Sequence, residues 1–593
     1  MERVIQDIVS AIRAAGRPLD EAWLAKLIRR YNRGVRDVAR HIGKQQLLAF
    51  YRTAKEEDGP LWQSWGIGTA EDRLILRSLT VKPRRTASGV ATITVLTLPH
   101  PCSGACIYCP NDIRMPKSYL ANEPACQRAE RTFFDPYLQV RARLDLLESN
   151  GHVTDKIELI VLGGTWSDYA IPYQVWFISE LFRALNDSDE EAGRVCTMRR
   201  TFYRDCGLDA DPSVLAEQVR DLQERVDAGS CSYNQAVGEL YGSAAWQDAR
   251  TIQHASFEAL DELQHVNENA LRRVVGLCVE TRPDLVDSRS AELMRRLGCT
   301  KIQIGIQSLD QETLDACGRH MAAGQIARAF AILRLFGFKI LAHMMANLVG
   351  ATPERDKRDY ERLVRDPRFL PDEVKLYPCV LVESAALTHL YRQGLWHPYP
   401  EDVLVDVLAA DVAATPAYVR ISRMIRDISS GDIVAGNTRT NLRQMVDGQG
   451  KDAGSKIVEI RQREIATEDI SADDLHLACI PYTTTVSEER FLQWVTADGA
   501  IAGFLRLSLP HRRGAAMIRE VHIYGRVAGL GSSEEGGAQH IGLGRRLVEE
   551  ACRQARAAGY HGIRVISSVG TRAYYRKLGF IDDGLYQMRT IGA

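Results

Sequence analysis

The chain has 593 residues, enough for several domains, and its charges almost cancel, since 75 Lys and Arg against 76 Asp and Glu give a formal net charge of −1. Any basic surface for a polyanion must therefore be local. Apolar residues make up 45% and charged residues 25% of the sequence, which excludes disordered and fibrous classes. No stretch approaches the roughly 20 apolar residues of a membrane span. The first segment carries charges through any signal core, so we expect a cytoplasmic protein without a membrane partner.

The first 55 residues show apolar residues at helical spacing, followed by a basic run with interleaved aromatic residues. A second basic group follows at Lys82, Arg84 and Arg85. Because cations placed on phosphates release condensed counterions, residues 1–80 are predicted to form a basic helical region that contacts nucleic acid. A solvated helix face is the alternative. The basic run consists of Lys26, Arg29, Arg30, Arg33, Arg36, Arg40, Lys44, Arg52 and Lys55.

Strand-like and helix-like segments alternate through residues 81–380. Helical stretches such as 290–298 and 323–337 end at glycines suited to helix C-caps. The alternation predicts an α/β fold with a parallel sheet, open or closed into a full or partial TIM-type (βα) barrel. Residues 186–270 are polar and helix-leaning, which predicts an insertion or a helical cap. The predicted strands are 91–97, 157–164, 274–280, 301–307, 338–344 and 373–378.

The remainder of the chain divides into a linker and a smaller domain. Residues 381–455 are predicted to be a helical, loop-rich linker that ends in the turn-forming run 447–456. Residues 456–593 combine strand-like stretches with two helical ones, which predicts a compact α/β domain. Its predicted strands are 457–465, 500–509, 515–525 and 562–569.

Three of the 13 cysteines stand close together, while the odd total and thin spread favour reduced thiols over a disulfide framework. Cys102, Cys106 and Cys109 have C-x3-C-x2-C spacing directly after the first predicted strand. Three thiolates can hold three irons of a [4Fe-4S] cubane and leave the fourth iron open to chelate S-adenosylmethionine. Zinc, with Cys126 or a His as fourth ligand, is the alternative.

The other predicted strands also end in residues suited to a site. Gly163, Gly164 and Thr165 follow one strand, Glu280 ends another, and Gln307 ends a third. Active sites of βα barrels lie at the carboxyl ends of the strands, so these residues are predicted to lie near the cysteines. An ordinary strand-to-helix turn is the alternative for the glycine pair.

The spacing C-x3-C-x-aromatic-C after the first strand resembles the radical S-adenosylmethionine superfamily, with Tyr108 as the aromatic residue. The resemblance implies a partial TIM barrel. It also implies that the three cysteines bind a [4Fe-4S] cluster and that S-adenosylmethionine is cleaved to a 5′-deoxyadenosyl radical. The residues implied to bind that cofactor are Gly163, Gly164, Thr165, Glu280 and Gln307.

Near the C-terminus, Gln539-x-x-Gly542-x-Gly544 precedes a predicted helix with two following arginines, Arg545 and Arg546. A helix N-terminus opened by glycines can hold a pyrophosphate. The segment does not follow a strand in a βαβ unit with a ribose-binding acid, so a dinucleotide fold is not supported. The order of parts instead resembles the GNAT acetyltransferase fold.

That resemblance implies an acetyl-CoA site. The pyrophosphate would lie on Gly542, Leu543, Gly544 and Arg545. Tyr574 and Tyr575 would lie near the thioester sulfur, Tyr575 being favoured as the coenzyme contact, and core packing of at least one of them is the alternative. The strand whose backbone pairs with pantetheine would be Glu520, Val521, His522 and Ile523.

The motifs KPRRTASGVA, GGT, ETRPD, IQIGIQS, REVHIYG and RAYYRKLGF resemble the catalytic subunits of the Elongator complex. This resemblance covers nearly the whole chain and implies a tRNA carboxymethyluridine synthase. A radical on the acetyl methyl group would add to C5 of the wobble uridine in the anticodon loop, followed by oxidation and thioester hydrolysis. The resemblance also implies Lys156 as a contact for the acyl donor, although by itself Lys156 is a cation at a strand start.

The implied partners are tRNA and an electron donor, and the chain acts alone or as a homo-oligomer. The residues also leave a protein lysine acetyltransferase open, in which the barrel would be a scaffold or a nucleic-acid-binding module. An RNA adaptor with vestigial sites fits the basic N-terminal region and leaves the cysteine spacing unexplained.

Overall fold

The computed structural model describes residues 1–37, 40–82, 86, 89–452, 457–465, 472–512, 514–524 and 542–592. Arg84, Arg85 and Gln539, singled out above, lie outside the described residues. No helix of the described part is both long and apolar enough to cross a membrane.

The N-terminal region is a small helical bundle with its own hydrophobic core. Ile5, Ile8 and Ile12 form the buried face of its first helix, as their spacing predicts. Much of the basic run is exposed, but part of it is already paired, as in the ion pair of Lys55 with Asp72 at 2.7 Å. The helices are α1 (Glu2–Ala15), α2 (Glu21–Asn32), α3 (Lys44–Glu56), α4 (Gly59–Trp65) and α5 (Thr69–Leu79).

The next region is built on a seven-stranded sheet with the order β1-β2-β3-β4-β5-β6-β8, in which every pair of neighbours is parallel. The sheet strands are β1 (Ala91–Leu96), β2 (Lys156–Leu162), β3 (Arg273–Thr281), β4 (Lys301–Gln307), β5 (Lys339–Ala346), β6 (Glu373–Pro378) and β8 (Arg420–Arg423). β7 (Leu381–Val382) and β9 (Ile433–Ala435) form a separate antiparallel pair. Because strand order follows chain order and β1 and β8 are both edges, the sheet is an open half-barrel.

Helices cover the outer side of the half-barrel, where alternate strand residues such as Ile302, Ile304 and Ile306 are fully buried. The long connection between β2 and β3 is helical, as expected for residues 186–270. The helices are α6 (Pro124–Glu130), α7 (Pro136–Ser149), α8 (Ile171–Asn186), α9 (Asp189–Asp205), α10 (Pro212–Gln218), α11 (Arg220–Asp227), α12 (Tyr233–Tyr241), α13 (Ala244–Ala249), α14 (Phe257–Asn267), α15 (Ser288–Arg296), α16 (Gln311–Ala316), α17 (Ala323–Leu335), α18 (Pro353–Arg365), α19 (Leu387–Arg392), α20 (Glu401–Ala414), α21 (Leu442–Asp452) and α22 (Ile460–Arg463).

Two predictions between residues 381 and 465 are wrong. The segment 381–455 is not simply a linker, because it contributes β8 to the main sheet, and residues 447–452 belong to α21 rather than to a turn. The predicted strand 457–465 is largely the short helix α22. The buried carboxylate of Glu459 favours the helix, since it accepts a hydrogen bond from the Arg461 N–H at 2.9 Å.

The C-terminal domain has a second seven-stranded sheet, with the order β10-β11-β12-β13-β14-β16-β15. Only the β13–β14 pair is parallel, and this pairing stops at Ile518 and Val565, so the two strands diverge beyond that point. The strands are β10 (His476–Thr483), β11 (Ser487–Val495), β12 (Ile501–Pro510), β13 (Ala516–Ile523), β14 (Gly562–Val565), β15 (Ile581–Asp583) and β16 (Tyr586–Thr590), with helices α23 (Leu543–Ala557) and α24 (Arg572–Lys577).

The C-terminal domain packs against the amino ends of the half-barrel strands through a buried ion-pair network. Asp372, next to the start of β6, receives both terminal nitrogens of Arg519, at 2.6 and 2.8 Å. Arg506 lies 3.4 Å from the same carboxylate, and its Nε is 2.9 Å from Glu520. Burial alone would raise the pKa of Asp372, but Arg519 and Arg506 hold that pKa well below its usual value. The two domains therefore share one charged core.

We expect Asp372→Asn to lower the free energy of unfolding by about 3–5 kcal/mol, because two buried guanidinium groups lose their counter-ion. The native pKa lies below the unfolded value of about 3.9, so this stabilisation is complete above roughly pH 5 and is lost as the pH falls. Denaturant unfolding measures both effects. The exposed pair of Glu361 with Arg365 provides the control, since Glu361→Gln should cost at most about 1 kcal/mol. Equal unfolding midpoints for the two variants would contradict this assignment.

Candidate active site

The three cysteines lie on one loop beyond the carboxyl end of β1. Cys106 is buried, whereas Cys102 and Cys109 are partly exposed. The Gly104 N–H lies 3.3 Å from Cys102 Sγ, and Arg319 Nη1 lies 3.3 Å from Cys106 Sγ. The hydrogen bond with Cys109, together with Arg319, lowers the pKa of the Cys106 thiol well below its usual value. Cys106 therefore favours the thiolate, the form that binds iron, whereas the same hydrogen bond and burial raise the pKa of Cys109 well above its usual value.

Asn234, on α12 of the 186–270 segment, anchors the cysteine loop. Its side-chain oxygen accepts from the Cys102 N–H at 2.9 Å, and its amide nitrogen donates to the Cys102 carbonyl at 3.0 Å. On the other side of the loop, the Ile107 N–H donates to the Cys317 carbonyl at 3.1 Å. The segment that interrupts the βα alternation thus holds the loop in place.

The described residues contain no group of three His, Cys, Asp or Glu side chains close enough to bind one metal ion together. Cys126 is buried in α6 and packs in a different hydrophobic cluster from Cys106. A cubane does not require the sulfurs to converge on one point, because each cysteine binds a different iron. The three thiols of this loop, two of them partly accessible and two with N–H donors on their sulfurs, fit such a cluster.

The glycine pair after β2 lies beside the cysteine loop. Gly163 and Gly164 have φ values of +133° and +83°, and a Cβ on Gly163 would lie 1.8 Å from Thr97 Oγ1, so a side chain is excluded there. The hydroxyl of Thr165 lies 3.8 Å from Cys102 Sγ. Thr97 therefore requires glycine at position 163, whereas Gly164, whose Cβ would lie 3.6 Å from the Lys117 carbonyl, is the partly exposed residue at this strand end.

Glu280 and Gln307 end the next two strands at the same edge of the sheet. Glu280 accepts a hydrogen bond from the Tyr119 hydroxyl at 3.0 Å and faces His343 across 3.5 Å. Gln307 has a left-handed backbone with φ +69°. Its neighbour Gly305 accepts a hydrogen bond from Arg319, the same residue that contacts Cys106. All five residues predicted to bind S-adenosylmethionine thus lie at the carboxyl ends of the strands, where the cysteine loop also lies.

A second candidate site lies in the C-terminal domain, where β13 and β14 diverge. Residues 520–523 pair with β12 on one side and have no β14 partner on the other. Gly542, with φ +70°, opens α23, whose N-terminal N–H groups favour an anion. A Cβ on Gly544 would lie 3.6 Å from Ile523 and 3.1 Å from the Tyr574 hydroxyl. The cleft, the helix N-terminus and this tyrosine together fit an acyl-CoA molecule.

The two tyrosines have different surroundings. Tyr574 is 41% exposed and its hydroxyl faces the first turn of α23, whereas Tyr575 is 7% exposed and packs against Phe580. Burial raises the pKa of both phenols. The geometry therefore favours Tyr574 for contact with a ligand in the cleft, although Tyr575 is the tyrosine that family resemblance favours.

The side chains of Glu520 and His522 point toward the half-barrel rather than into the cleft. Glu520 is paired with Lys339 at the start of β5, and with Arg506 at 2.9 Å. His522 is stacked on Phe504, and its Nε2 is buried without a hydrogen-bond partner among the described residues. Glu520 and His522 thus present only their backbone to a ligand in the cleft.

Lys156 lies on the half-barrel near the C-terminal domain, whereas Arg545 lies on α23 of that domain. Lys156 is paired in register with Arg273, against whose Cβ the turn at Gly570 packs, so the start of β2 lies next to the C-terminal domain. Arg545 is exposed in the first turn of α23, where Leu543 is buried. This places Lys156 at the end of the half-barrel opposite the cysteines.

Arg319, Asn234, Gln303, His343 and Lys375 are site residues that the sequence did not indicate. Gln303, His343 and Lys375 are polar residues on strands whose neighbouring positions are apolar. This pattern, which the sequence analysis did not use, predicts that they face the inside of the barrel. Asn234 and Arg319 have no comparable signal, because their contacts to the cysteine loop span 132 and 213 residues.

Comparison with known families agrees with this geometry. The Radical SAM superfamily matches residues 249–363, its C-terminal domain matches residues 371–451, and the acetyltransferase (GNAT) family matches residues 458–580. The fold and its two sites thus define a radical S-adenosylmethionine enzyme joined to a GNAT acyltransferase.

Relatives of nearly the same length define the family. The chain is 33% identical to a tRNA uridine(34) acetyltransferase of Dehalococcoides mccartyi, over 84% of this chain and 97% of that protein. It is 29% identical to human Elongator complex protein 3, over 88% and 87% of the two chains. A solved structure of Methanocaldococcus infernus Elp3 lacking residues 1–46 aligns with a TM-score of 0.65 and 29% identity, covering 85% of this chain and 100% of that one. The chain belongs to the family of tRNA uridine(34) acetyltransferases and Elongator complex protein 3.

We expect Asn234→Ala to loosen the cysteine loop, because two hydrogen bonds of roughly 1 kcal/mol each are lost. A reconstituted cluster should then lose iron to a chelator about tenfold faster under anaerobic conditions. Asn269→Ala, at an exposed asparagine before the amino end of β3, the end of the half-barrel opposite the cysteines, serves as the control. Equal rates of iron loss from both variants would show that the anchor is dispensable.

We expect Tyr574→Phe to slow acetyl-CoA turnover at least tenfold, because a hydroxyl positioned to transfer a proton contributes about 10²–10⁴-fold. Tyr575→Phe keeps the buried ring and should leave turnover within about twofold. Release of free coenzyme A measures both rates. The reverse pattern would assign the role to Tyr575.

Proposed function

We propose that this protein installs a carboxymethyl group on C5 of the wobble uridine of tRNA, using S-adenosylmethionine and acetyl-CoA. One observation carries the proposal. The three-cysteine loop lies at the carboxyl ends of the half-barrel strands, and the domain with the acyl-CoA cleft packs against their amino ends. The relatives include tRNA uridine(34) acetyltransferases, which supports tRNA as the substrate.

At the carboxyl ends of the strands, a [4Fe-4S] cluster bound by the cysteine loop would supply the electron that cleaves S-adenosylmethionine and forms a radical. Cys102, Cys106 and Cys109 hold it, and the Arg319 guanidinium balances thiolate charge at Cys106. The partly exposed backbone of Gly164 lies where the methionine part of the cofactor would approach. A radical is needed because C5 has no good leaving group and an acetyl methyl group is a poor acid.

The C-terminal domain, at the amino ends of the half-barrel strands, binds the acyl donor. The N-terminus of α23 and the exposed Arg545 attract the pyrophosphate, and the unpaired edge of residues 520–523 offers N–H and C=O groups to the pantetheine arm. Tyr574 places its hydroxyl at the mouth of this cleft. Lys156 approaches the acyl donor from the half-barrel.

The substrate base comes from a single-stranded loop and can be turned out into a pocket without unpairing a helix. The exposed cations of the N-terminal helices, including Arg29, Arg33 and Arg36, suit the tRNA backbone. The reaction also needs an external electron donor. A homo-oligomeric state and a cytoplasmic location stay predictions.

The test is anaerobic incubation of cluster-reconstituted protein with tRNA, a reductant, S-adenosylmethionine and acetyl-CoA, followed by mass analysis of the nucleosides. We expect carboxymethyluridine only when both small molecules are present. Cys106→Ser should abolish the product because one iron ligand is lost. Cys479→Ser, at the exposed cysteine of β10, is the matched control and should retain full activity.

A protein lysine acetyltransferase would give a different result. Coenzyme A would be released with acetyl transfer to protein lysines, no modified nucleoside would form, and Cys106→Ser would be as active as the wild type. That outcome would overturn the proposed function.

A further inference from the structure

A polar cluster lies on the inner face of the half-barrel, between the carboxyl ends and the amino ends of its strands. It consists of Gln303, His343 and Lys375, which project from the middle of β4, β5 and β6 while their strand neighbours pack outward. His343 is paired in register with both Gly305 and Lys375. Gln303 stands four residues before the end of β4, roughly 13 Å below the strand ends that carry the cysteines, whereas His343, in register with Gly305, lies roughly 7 Å below them.

The hydrogen bonds fix the orientation of Gln303. Lys375 Nζ lies 2.5 Å from Gln303 Oε1, and an ammonium group can only donate. The amide nitrogen of Gln303 donates to Cys278 Sγ at 3.2 Å. His343 Nε2 lies 3.0 Å from the same Oε1, so Nε2 must carry a proton.

The other ring nitrogen of His343 is left as an acceptor. Burial, with Lys375 and Arg426 nearby, holds the pKa of His343 well below its usual value, so the ring is neutral and Nδ1 is bare. Nδ1 faces Glu280 Oε1 across 3.5 Å. Both atoms accept hydrogen bonds, so neither satisfies the other, and a bound group with an N–H could donate to them.

Lys375 differs from the other two lysines of the inner face. Lys301 lies 2.6 Å from Glu158, and Lys339 lies 2.8 Å from Glu373. Within the part of the chain that the structure describes, no carboxylate lies within ion-pair distance of Lys375. Burial lowers the pKa of its ammonium to about 8, which leaves it mostly protonated at neutral pH, with two N–H groups beyond the one given to Gln303.

We propose that Lys375, His343 and Glu280 read the imide edge of the uracil ring. Lys375 donates to a ring carbonyl, and His343 Nδ1, beside Glu280, accepts the imide N–H. The inference rests on the proposed function and specifies how its substrate base is selected. Cytosine has an amino group where uracil has the carbonyl, and an unprotonated ring nitrogen where uracil has the imide N–H. With cytosine, two donors would face each other at Lys375 and two acceptors would face each other at His343 Nδ1.

An α-amino carboxylate, such as that of S-adenosylmethionine, also presents a donor next to acceptors. The position of the cluster favours the base. Glu280 lies at the end of β3 beside the residues predicted to bind the cofactor, whereas Gln303, His343 and Lys375 lie deeper, between the cysteines and the acyl-CoA domain, where a base that meets both cofactors must be.

The test uses the full chain and anticodon stem-loop RNAs that differ only at the wobble position, which is uridine, cytidine or N3-methyluridine. Affinities are measured by competition without either cofactor. We expect the wild type to prefer uridine about tenfold over each of the others. Lys375→Met should reduce the preference for uridine over cytidine to about twofold or less, and Lys375→Arg should retain most of it.

Gln303→Glu should act in the same direction as Lys375→Met, because the new carboxylate would hold the ammonium away from the base. Lys357→Met, at a surface lysine of α18 paired with Asp406, is the control and should keep the tenfold preference. Unchanged discrimination in Lys375→Met would overturn the inference. So would a change confined to 5′-deoxyadenosine formation without RNA, which would assign the cluster to S-adenosylmethionine.

The inference and the proposed function fail separately. Carboxymethyluridine formed by a protein that does not distinguish uridine from cytidine would remove only the base-reading cluster. A protein that prefers uridine through Lys375 but forms no modified nucleoside would retain the cluster as a uridine-binding site and remove the proposed reaction.

Discussion

The carboxylate of Asp372 is the interaction on which the two-domain architecture depends. It lies at the amino end of the half-barrel and binds Arg519 of the C-terminal sheet through two hydrogen bonds. A buried charge of this kind is stable only while its partner is present. The pairing therefore fixes the orientation of β13, whose free backbone edge forms one wall of the acyl-CoA cleft. The position of the second site relative to the first follows from this contact.

Between the amino ends and the carboxyl ends of the strands, the inner face of the half-barrel carries polar residues in two layers. In the layer next to the C-terminal domain, Lys301 and Lys339 are balanced by Glu158, Glu373 and Glu520. In the layer nearer the cysteines, the hydrogen bonds leave donors and acceptors incompletely used. Balanced charges give a rigid floor, whereas incompletely satisfied groups give a surface that can hold a ligand.

Much of this arrangement follows from the sequence. The first six strands of the half-barrel were predicted because parallel, buried strands are short apolar runs, and the cysteine loop was predicted from spacing alone. Residues 457–465 have strand-like composition, but residues 460–463 form a helix, since the buried Glu459 caps it. Family resemblance favoured Tyr575 over Tyr574, whereas the greater exposure of Tyr574 appears only in the folded chain. Asn234 and Arg319 act through contacts that only the folded chain creates.

The contacts of the cysteine loop also constrain the order of events during synthesis. Cys102 is held by a residue 132 positions later, and Cys106 by one 213 positions later. A ribosome makes the chain from its N-terminus, so the loop emerges long before the residues that shape it. The loop cannot reach its final geometry until residue 319 has left the ribosome. Stable loading with iron and sulfide is therefore a late event, which follows the folding of most of the half-barrel.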